Sequence, residues 1–288
     1  MGDYENVRFL QQIFGYDIIG NPTQQKAFIL EGSGSNGKST LLGALHNLRG
    51  DFIISIPVTY FTGDTKDDPN RPSPVTYSVK EKLIVYTSEA QCSSYLNESR
   101  VKKFNGGGKL TARPLYGQLT EFDNVDTLFF DTNHLPHFKS GGFSMEIRLL
   151  VVPFPYTFSN DKIDLHLLDK LKAPHSKQAL LTWLINGAID YLRNGQFTIP
   201  QRVYEATKAF FREEDTIGQF LDECTINERN SSLPFHVLYE AYKDFCIRNC
   251  FEVKSADTFA KSKQMQAFPV VRGKTRCGRG LRLVDAGM

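Results

Sequence analysis

The segment FILEGSGSNGKSTL, residues 28–41, constrains the fold of this chain more than any other part of its sequence. An apolar run ending at Leu30 predicts a short buried strand, and leucines at 41, 45 and 48 predict an amphipathic helix. Between them stands Gly32-x4-Gly37-Lys38-Ser39, the pattern of a phosphate-binding loop in its strand–loop–helix setting. We therefore predict an α/β domain with this loop at the carboxyl end of a strand.

Each position of the loop has a physical role in holding phosphate. Glycines allow the backbone to curl until its N–H groups converge on phosphate oxygens, and the following helix adds the positive end of its dipole. Lys38 supplies a charge for the β- and γ-phosphates, and Ser39 offers a hydroxyl to a bridging Mg²⁺. The predicted nucleotide-binding residues are Gly32, Ser33, Gly34, Ser35, Asn36, Gly37, Lys38, Ser39 and Thr40.

Two further apolar runs end in polar residues that the same sheet edge would bring near the loop. Ser88-Glu89 follows the first run, and Glu89 could activate the attacking water or hold Mg²⁺. Since only one carboxylate stands there, the two roles cannot be given to separate acids. Asn133 follows the second run; it could hold the attacking water or sense the γ-phosphate, and it is equally ordinary as a turn residue before a proline.

Arg148 stands directly before a third apolar run, residues 149–154. An arginine in this place is either a surface ion-pair partner or a finger that reaches the nucleotide of a neighbouring subunit and stabilises transition-state charge.

A cationic segment surrounds the glycines at 106–108. A loop of this kind can follow a phosphate backbone without reading sequence, or it can be a solvated surface loop. We place Lys109 at the loop tip. The ring of Tyr116 or Phe104 could stack on a base, but the pattern favours core packing for both. The candidate DNA contacts of this segment are Lys102, Lys103, Lys109 and Arg113.

The C-terminal part carries a charge asymmetry that the overall net charge of +2 hides. Residues 248–288 have a net charge of +6, and the remainder has −4. Residues 163–220 have a mainly helical pattern; helical patterns at 238–245 and 256–266 then precede two short strands around a basic glycine-rich turn at 270–283. The hairpin predicts a winged-helix-like domain whose wing lies along a duplex, docks on a protein or stays solvated. Its candidate DNA contacts are Arg272, Lys274, Arg276 and Arg279.

Composition excludes some classes of protein. No apolar run reaches the roughly 18 residues that a transmembrane helix needs, so we expect no membrane association. The five cysteines are odd in number and scattered, which favours a reduced, intracellular protein over a disulfide scaffold.

The segments taken together resemble the superfamily 3 helicases, which are AAA+ ring motors of viruses, phages and plasmids. The similarity is greatest to the helicase part of phage, plasmid and poxvirus primase-helicases. Over residues 7–158 it rests on FLQQIFGYDIIG, FILEGSGSNGKST, LIVYTSEA, VKKFNGGGKLTARPLYG, LFFDTNHLP and IRLLVVPF, in that order.

The resemblance implies roles for the candidate residues. Residues 32–40 would be motif A, Glu89 the acid of motif B, Asn133 the sensor of motif C, and Arg148 the arginine finger. Residues 102–116 would form the hairpin that carries DNA contacts into the ring pore. The chain has Gly108 where the family has an aspartate.

The same resemblance implies an AAA+ P-loop NTPase core at residues 1–160, a helical lid or linker at 161–220 and a C-terminal winged-helix-like basic domain at 221–288. It also implies a magnesium- and ATP-dependent DNA helicase motor that moves on single-stranded and forked DNA as a homo-oligomeric, hexameric ring in the cytoplasm of the host cell. A primase or polymerase domain would belong to the same longer chain. Two alternatives remain open: an ATP-switched replication initiator without unwinding activity, and a P-loop small-molecule kinase.

Overall fold

The computed structural model describes residues 4–21, 23–63, 71–88, 95–138, 143–159, 163–266, 268, 270–272 and 276–284. The chain divides into two compact units. The first comprises Met1–His137 and Met145–Lys208, and the second comprises Phe138–Ser144 and Ala209–Met288.

A parallel sheet forms the centre of the first unit. Its strands and those of a separate hairpin are β1 (Ala27–Glu31), β2 (Ile53–Pro57), β3 (Ile84–Ser88), β4 (Lys109–Ala112), β5 (Thr120–Asp123), β6 (Thr127–Thr132) and β7 (Leu149–Pro153). Five of them pair in parallel in the order β2-β3-β6-β1-β7. β1 and β6 are buried along almost their whole length, as expected for strands covered on both faces. The predicted α/β class with a parallel sheet is confirmed.

The strand order creates a crevice where the loop lies. β1 and β6 are neighbours in the sheet, but their connections run in opposite directions. The chain leaves β1 toward β2 at one edge of the sheet, and it leaves β6 toward β7 at the other edge. Because parallel crossovers are almost always right-handed, connections in opposite directions cover opposite faces and diverge beyond the carboxyl ends of β1 and β6. Ligands of open α/β sheets bind at such a point.

Helices cover the sheet and continue beyond it. Up to residue 214 they are α1 (Tyr4–Tyr16), α2 (Lys38–Arg49), α3 (Pro74–Ser78), α4 (Glu98–Asn105), α5 (Phe143–Glu146), α6 (Leu167–Lys172), α7 (Pro174–Asn194) and α8 (Gln201–Glu214), with short 3-10 turns at Asp17–Ile19, Gly50–Phe52 and Val58–Tyr60. The predicted helical character of residues 163–220 is confirmed. None of the described helices combines the length and apolarity needed to cross a bilayer.

Two glycines let α1 and α7 approach closely. A Cβ atom on Gly187 would lie 1.8 Å from the carbonyl oxygen of Gln11, and one on Gly15 would lie 2.4 Å from that of Leu184. Only glycine fits at either crossing position. The aromatic core beneath includes Phe129, which stacks on both Phe14 and Phe28.

The second unit packs helices on a small antiparallel sheet. Its further elements are α9 (Thr216–Cys224), β8 (Thr225–Pro234), α10 (Phe235–Arg248), α11 (Ala256–Lys261), α12 (Lys263–Gln266), β9 (Val270–Arg272) and β10 (Arg276–Leu283). The sheet has the order β8-β10-β9. The helix predicted at 238–245 and the hairpin of β9 and β10 are confirmed. The single helix predicted at 256–266 is divided into α11 and α12, because Ser262 between them has an extended backbone. β8 was not predicted, because TINERNSSLP is mostly polar and lacks the alternation of a half-buried strand.

Candidate functional site

The loop between β1 and α2 has a backbone that only its glycine-rich sequence allows. Gly34 and Gly37 have φ values of +100° and +89°, and Ser35 between them has +46°. A Cβ atom on Gly32 would lie 2.7 Å from the carbonyl oxygen of Phe154, so a larger residue would collide with the backbone there. The loop therefore curls as a phosphate-binding loop must.

Lys38 begins α2 and points into the crevice between β1 and β6. Its Nζ atom donates hydrogen bonds to Gly32 O at 2.7 Å, Asn36 Oδ1 at 3.2 Å and Asn133 Oδ1 at 3.1 Å. The side chain is only 3% exposed. The structure thus brings together Lys38 and Asn133, two of the predicted site residues, which are distant in the sequence.

Asp131 is a site residue that the sequence analysis missed. The Oγ atom of Ser39 donates to Asp131 Oδ2 at 3.3 Å, and Lys38 Nζ lies 3.8 Å from Asp131 Oδ1. Asp131 and Asn133 are two residues apart at the end of β6, and side chains at i and i+2 of a strand share a face. Asking which side chains share the face of Asn133 would have identified this acid.

A segment after β7 lies along the loop. Phe154 N donates to Glu31 O at 2.7 Å, and Phe158 N donates to Ser35 O at 2.9 Å. The hydroxyl groups of Ser33 and Thr157 are 3.5 Å apart. This segment holds the outer side of the loop in place.

An apolar cavity of about 300 Å³ adjoins the loop. One wall is formed by the loop and the start of α2, with Ser35, Gly37 and Thr40. The other wall is mainly apolar and is formed by Phe158, Ile163, Asp164, Leu165, Leu167 and Leu168. Apolar cavities with a few polar groups are the usual form of small-molecule sites. Of the predicted nucleotide-binding residues, Ser35, Gly37 and Thr40 line this cavity.

Glu89 lies outside the described residues, since β3 is described only up to Ser88. Its predicted roles toward water and Mg²⁺ stay predictions.

Arg148 lies at the opposite edge of the sheet from Lys38. Its carbonyl oxygen accepts a hydrogen bond from Ala27 N at 2.8 Å, at the amino end of β1, whereas the loop follows the carboxyl end. A strand of five residues spans about 17 Å. Burial and the charge of Arg148 lower the pKa of neighbouring Lys26. The structure therefore separates Arg148 from the loop of its own chain.

The four cations of the predicted DNA segment do not lie on one loop. Lys102 and Lys103 lie on α4, where Lys102 Nζ is 3.4 Å from Glu98 Oε2. Lys109 begins β4, and its Nζ is 3.5 Å from Glu121 Oε2. Arg113 follows β4 and is exposed.

The prediction that Lys109 forms the loop tip is wrong. Lys109 pairs with Asp123 at the open end of the β4–β5 hairpin, because the turn that closes this hairpin is residues 113–119. Tyr116 lies in that turn with φ +61° and is fully exposed, so its prediction as a core residue is also wrong. Leu115 and Leu119 beside it are exposed as well. Phe104 is buried, as predicted.

Three of the four candidate contacts near the C-terminus lie on strands of the small antiparallel sheet. Arg272 lies on β9, and Arg276 and Arg279 lie on β10; the structure describes their backbones. Lys274 lies outside the described residues.

A parallel α/β sheet with a glycine loop and a buried lysine at its carboxyl edge is typical of domains with a phosphate-binding loop. No family model matches the chain. Curated viral relatives do match. The chain is 25% identical over 238 residues to "Putative helicase L207/L206" of Acanthamoeba polyphaga mimivirus, and 26% identical over 269 residues to "Putative helicase 022R" of Frog virus 3. These alignments cover 77% and 84% of the chain but only 24% and 26% of the relatives.

A third relative is "Primase D5" of fowlpox virus, 26% identical over 169 residues, which covers 57% of the chain and 21% of the relative. The predicted resemblance to viral helicases and poxvirus primase-helicases is confirmed. The chain spans about a quarter of the length of the curated relatives that it matches.

The fold also has a solved counterpart. The apo structure of the NrS-1 C-terminal region superimposes with a TM-score of 0.56 at 13% identity, covering 96% of this chain and 76% of that chain. This likeness concerns the fold alone.

Proposed function

We propose that this chain is the ATP-driven motor of a viral replication helicase, of the superfamily 3 type within the AAA+ class. The observation that carries the proposal is the meeting of Lys38 with Asn133 at the glycine loop, in a chain whose relatives are named as viral helicases. A buried lysine that is anchored by the glycine loop and by side chains at the end of β6 is pre-organised to receive phosphate oxygens.

The nucleotide would bind across the loop. The backbone N–H groups of residues 32–40 would hold the phosphates, with Lys38 on the β- and γ-phosphates. The adjoining cavity, with Phe158 and Leu168 on its apolar wall, would take the base. The binding of ATP rather than another nucleotide is part of this proposal.

The oxygen atoms near Ser39 fit Mg²⁺, which prefers hydroxyl, carboxylate and amide oxygens. We assign Ser39 and Glu89 to hold it. The ion would neutralise charge that develops on the transferred phosphoryl group. Glu89 would take a proton from the attacking water, and Asn133 would orient that water through its amide.

Arg148 would act on the nucleotide of a neighbouring subunit. Its place at the amino edge of the sheet, far from its own loop, supports an action in trans. A finger that serves a neighbour requires a homo-oligomer, and we propose a hexameric ring.

DNA would contact the β4–β5 hairpin and the cations near it. Its turn exposes Tyr116 between two leucines, and aromatic rings of this kind stack on bases without reading sequence. Arg113 in the same turn and Lys102, Lys103 and Lys109 would supply charge to the phosphate backbone. The hairpin would thus move single-stranded DNA through the ring pore.

The C-terminal residues would add a second DNA contact. Helices followed by the β9–β10 hairpin support a winged-helix-like domain at 221–288, joined to the core at 1–160 by the lid at 161–220. Its cations Arg272, Lys274, Arg276 and Arg279 would lie along a duplex at a fork. The fowlpox relative's name supports cooperation with a primase.

Strand displacement on a forked DNA substrate tests this function. The wild-type chain with ATP and Mg²⁺ should separate the strands, and Lys38→Ala should not. Binding of the forked DNA without strand displacement would favour the replication initiator. An ATP hydrolysis rate that DNA does not change would favour the small-molecule kinase.

A further inference from the structure

The sequence has one carboxylate at the end of β3, that of Glu89. Hydrolysis uses one carboxylate to orient or deprotonate the attacking water and usually a second to bind the metal ion. The first role requires a group near the attacking water, and the second requires a group near the loop hydroxyl. A second acid on a neighbouring strand could hold the metal, and Asp131 on β6 is the candidate.

Asp131 is placed against the loop by the register of the sheet. β6 pairs with β1 in parallel, and Asp131 stands opposite Leu30, two residues before the loop begins. Its carboxylate is 11% exposed and accepts the hydrogen bond from Ser39, the hydroxyl that the loop pattern assigns to the metal. The acid therefore lies beside that hydroxyl.

The charge of Asp131 poses a problem for a triphosphate. A carboxylate 3.8 Å from the lysine that receives the phosphates repels the same phosphates when they arrive. A divalent cation between them would convert this repulsion into attraction. Mg²⁺ is typically bound by one or two carboxylates together with substrate phosphates, rather than by a complete protein cage. Among the described residues, no cluster of three His, Cys, Asp or Glu forms such a cage.

We propose that Asp131, in place of Glu89, is the carboxylate that holds the nucleotide-bound magnesium together with Ser39, and that Glu89 acts only on the attacking water. The inference rests on the proposed function and deepens it, because it divides the two acidic roles between β6 and β3. Asp131 is thus a metal-binding residue, next to Asn133 on the same face of the strand.

The test compares the affinity for a non-hydrolysable ATP analogue in Mg²⁺ and in EDTA, for the wild type and for Asp131→Asn. The wild type should bind the analogue more tightly in Mg²⁺. Asp131→Asn should lose about tenfold or more of this enhancement. In EDTA it should bind at least as tightly as the wild type, since the repulsive charge is gone. Asp51→Asn, an exposed acid at the amino side of the sheet, is the matched control and should behave as the wild type does.

A second measurement follows the metal itself. Electron paramagnetic resonance of Mn²⁺ with the analogue should show tight binding to the wild type and weak binding to Asp131→Asn, with partial recovery in Asp131→Glu, which keeps the charge. Unchanged metal affinity in both Asp131 variants would overturn the assignment. If the wild type binds no nucleotide in either buffer, the proposed function itself fails and the assignment falls with it.

Discussion

The Nζ atom of Lys38 lies 3.1 Å from Oδ1 of Asn133, and this hydrogen bond is one of the contacts that join the glycine loop to the end of β6. Because a bound triphosphate would compete for the same lysine, the amide of Asn133 is placed to respond to the arrival of the nucleotide. This hydrogen bond links the phosphate-binding loop to the end of β6, where Asp131 lies in the same crevice.

Asn133→Ala should therefore impair hydrolysis more than binding. We expect the affinity for ATP to stay near that of the wild type and kcat to fall by a factor on the order of 10², the usual cost of removing one oriented hydrogen-bonding group from a reaction centre. Steady-state hydrolysis and equilibrium binding measured on one preparation separate the two effects. A loss of affinity with unchanged kcat would mean that Asn133 only anchors Lys38.

Tyr116→Ala should weaken binding to single-stranded DNA and reduce unwinding. A stacked aromatic ring contributes about 1–3 kcal/mol per base, and the exposed ring has no packing role to lose. Hydrolysis measured without DNA should be unchanged. Tyr204→Ala, which removes another exposed tyrosine, is the control. Equal DNA affinity in both variants would remove Tyr116 from the DNA surface.

Arg148→Ala subunits should poison mixed rings. If each arginine acts on the nucleotide of a neighbouring subunit, the hydrolysis rate of a mixture, relative to pure wild type, should be lower than the mole fraction of wild-type subunits in it. The measurement is the rate as a function of mixing ratio after the subunits have exchanged. A linear decline would indicate that Arg148 acts within its own chain or not at all.

Asp126→Asn should stabilise the fold in a pH-dependent manner. Burial, and then the charge of Asp17, raise the pKa of Asp126 well above its usual range. The folded chain thus keeps a proton that the unfolded chain releases, so the wild type loses stability as pH rises above the ordinary value of 3.8. Thermal unfolding should show a larger gain in Tm for the variant at about pH 8 than at about pH 5. An equal gain at both values would contradict this.

Local chemistry explains why the loop was predictable. Glycine positions, the lysine and the following helix are all encoded within residues 28–41, and each has a steric or electrostatic reason that does not depend on distant parts of the chain. The strands around it were predictable for the same reason, since a buried parallel strand is a continuous apolar run.

The residues that escaped prediction depend on register and on contacts between distant segments. Asp131 becomes a site residue only when β6 pairs with β1, and Tyr116 becomes an exposed tip only when β4 and β5 form a hairpin. The glycine contact of Gly187 with α1 joins helices far apart in the sequence. A single sequence does not encode such pairings in a local pattern.

The most direct test of the central claim is the rate of ATP hydrolysis with Mg²⁺, measured with and without single-stranded DNA, for the wild type and Lys38→Ala. The account predicts hydrolysis by the wild type that DNA stimulates, and none above background by Lys38→Ala. Full activity in Lys38→Ala, or no hydrolysis by the wild type in either condition, would contradict it.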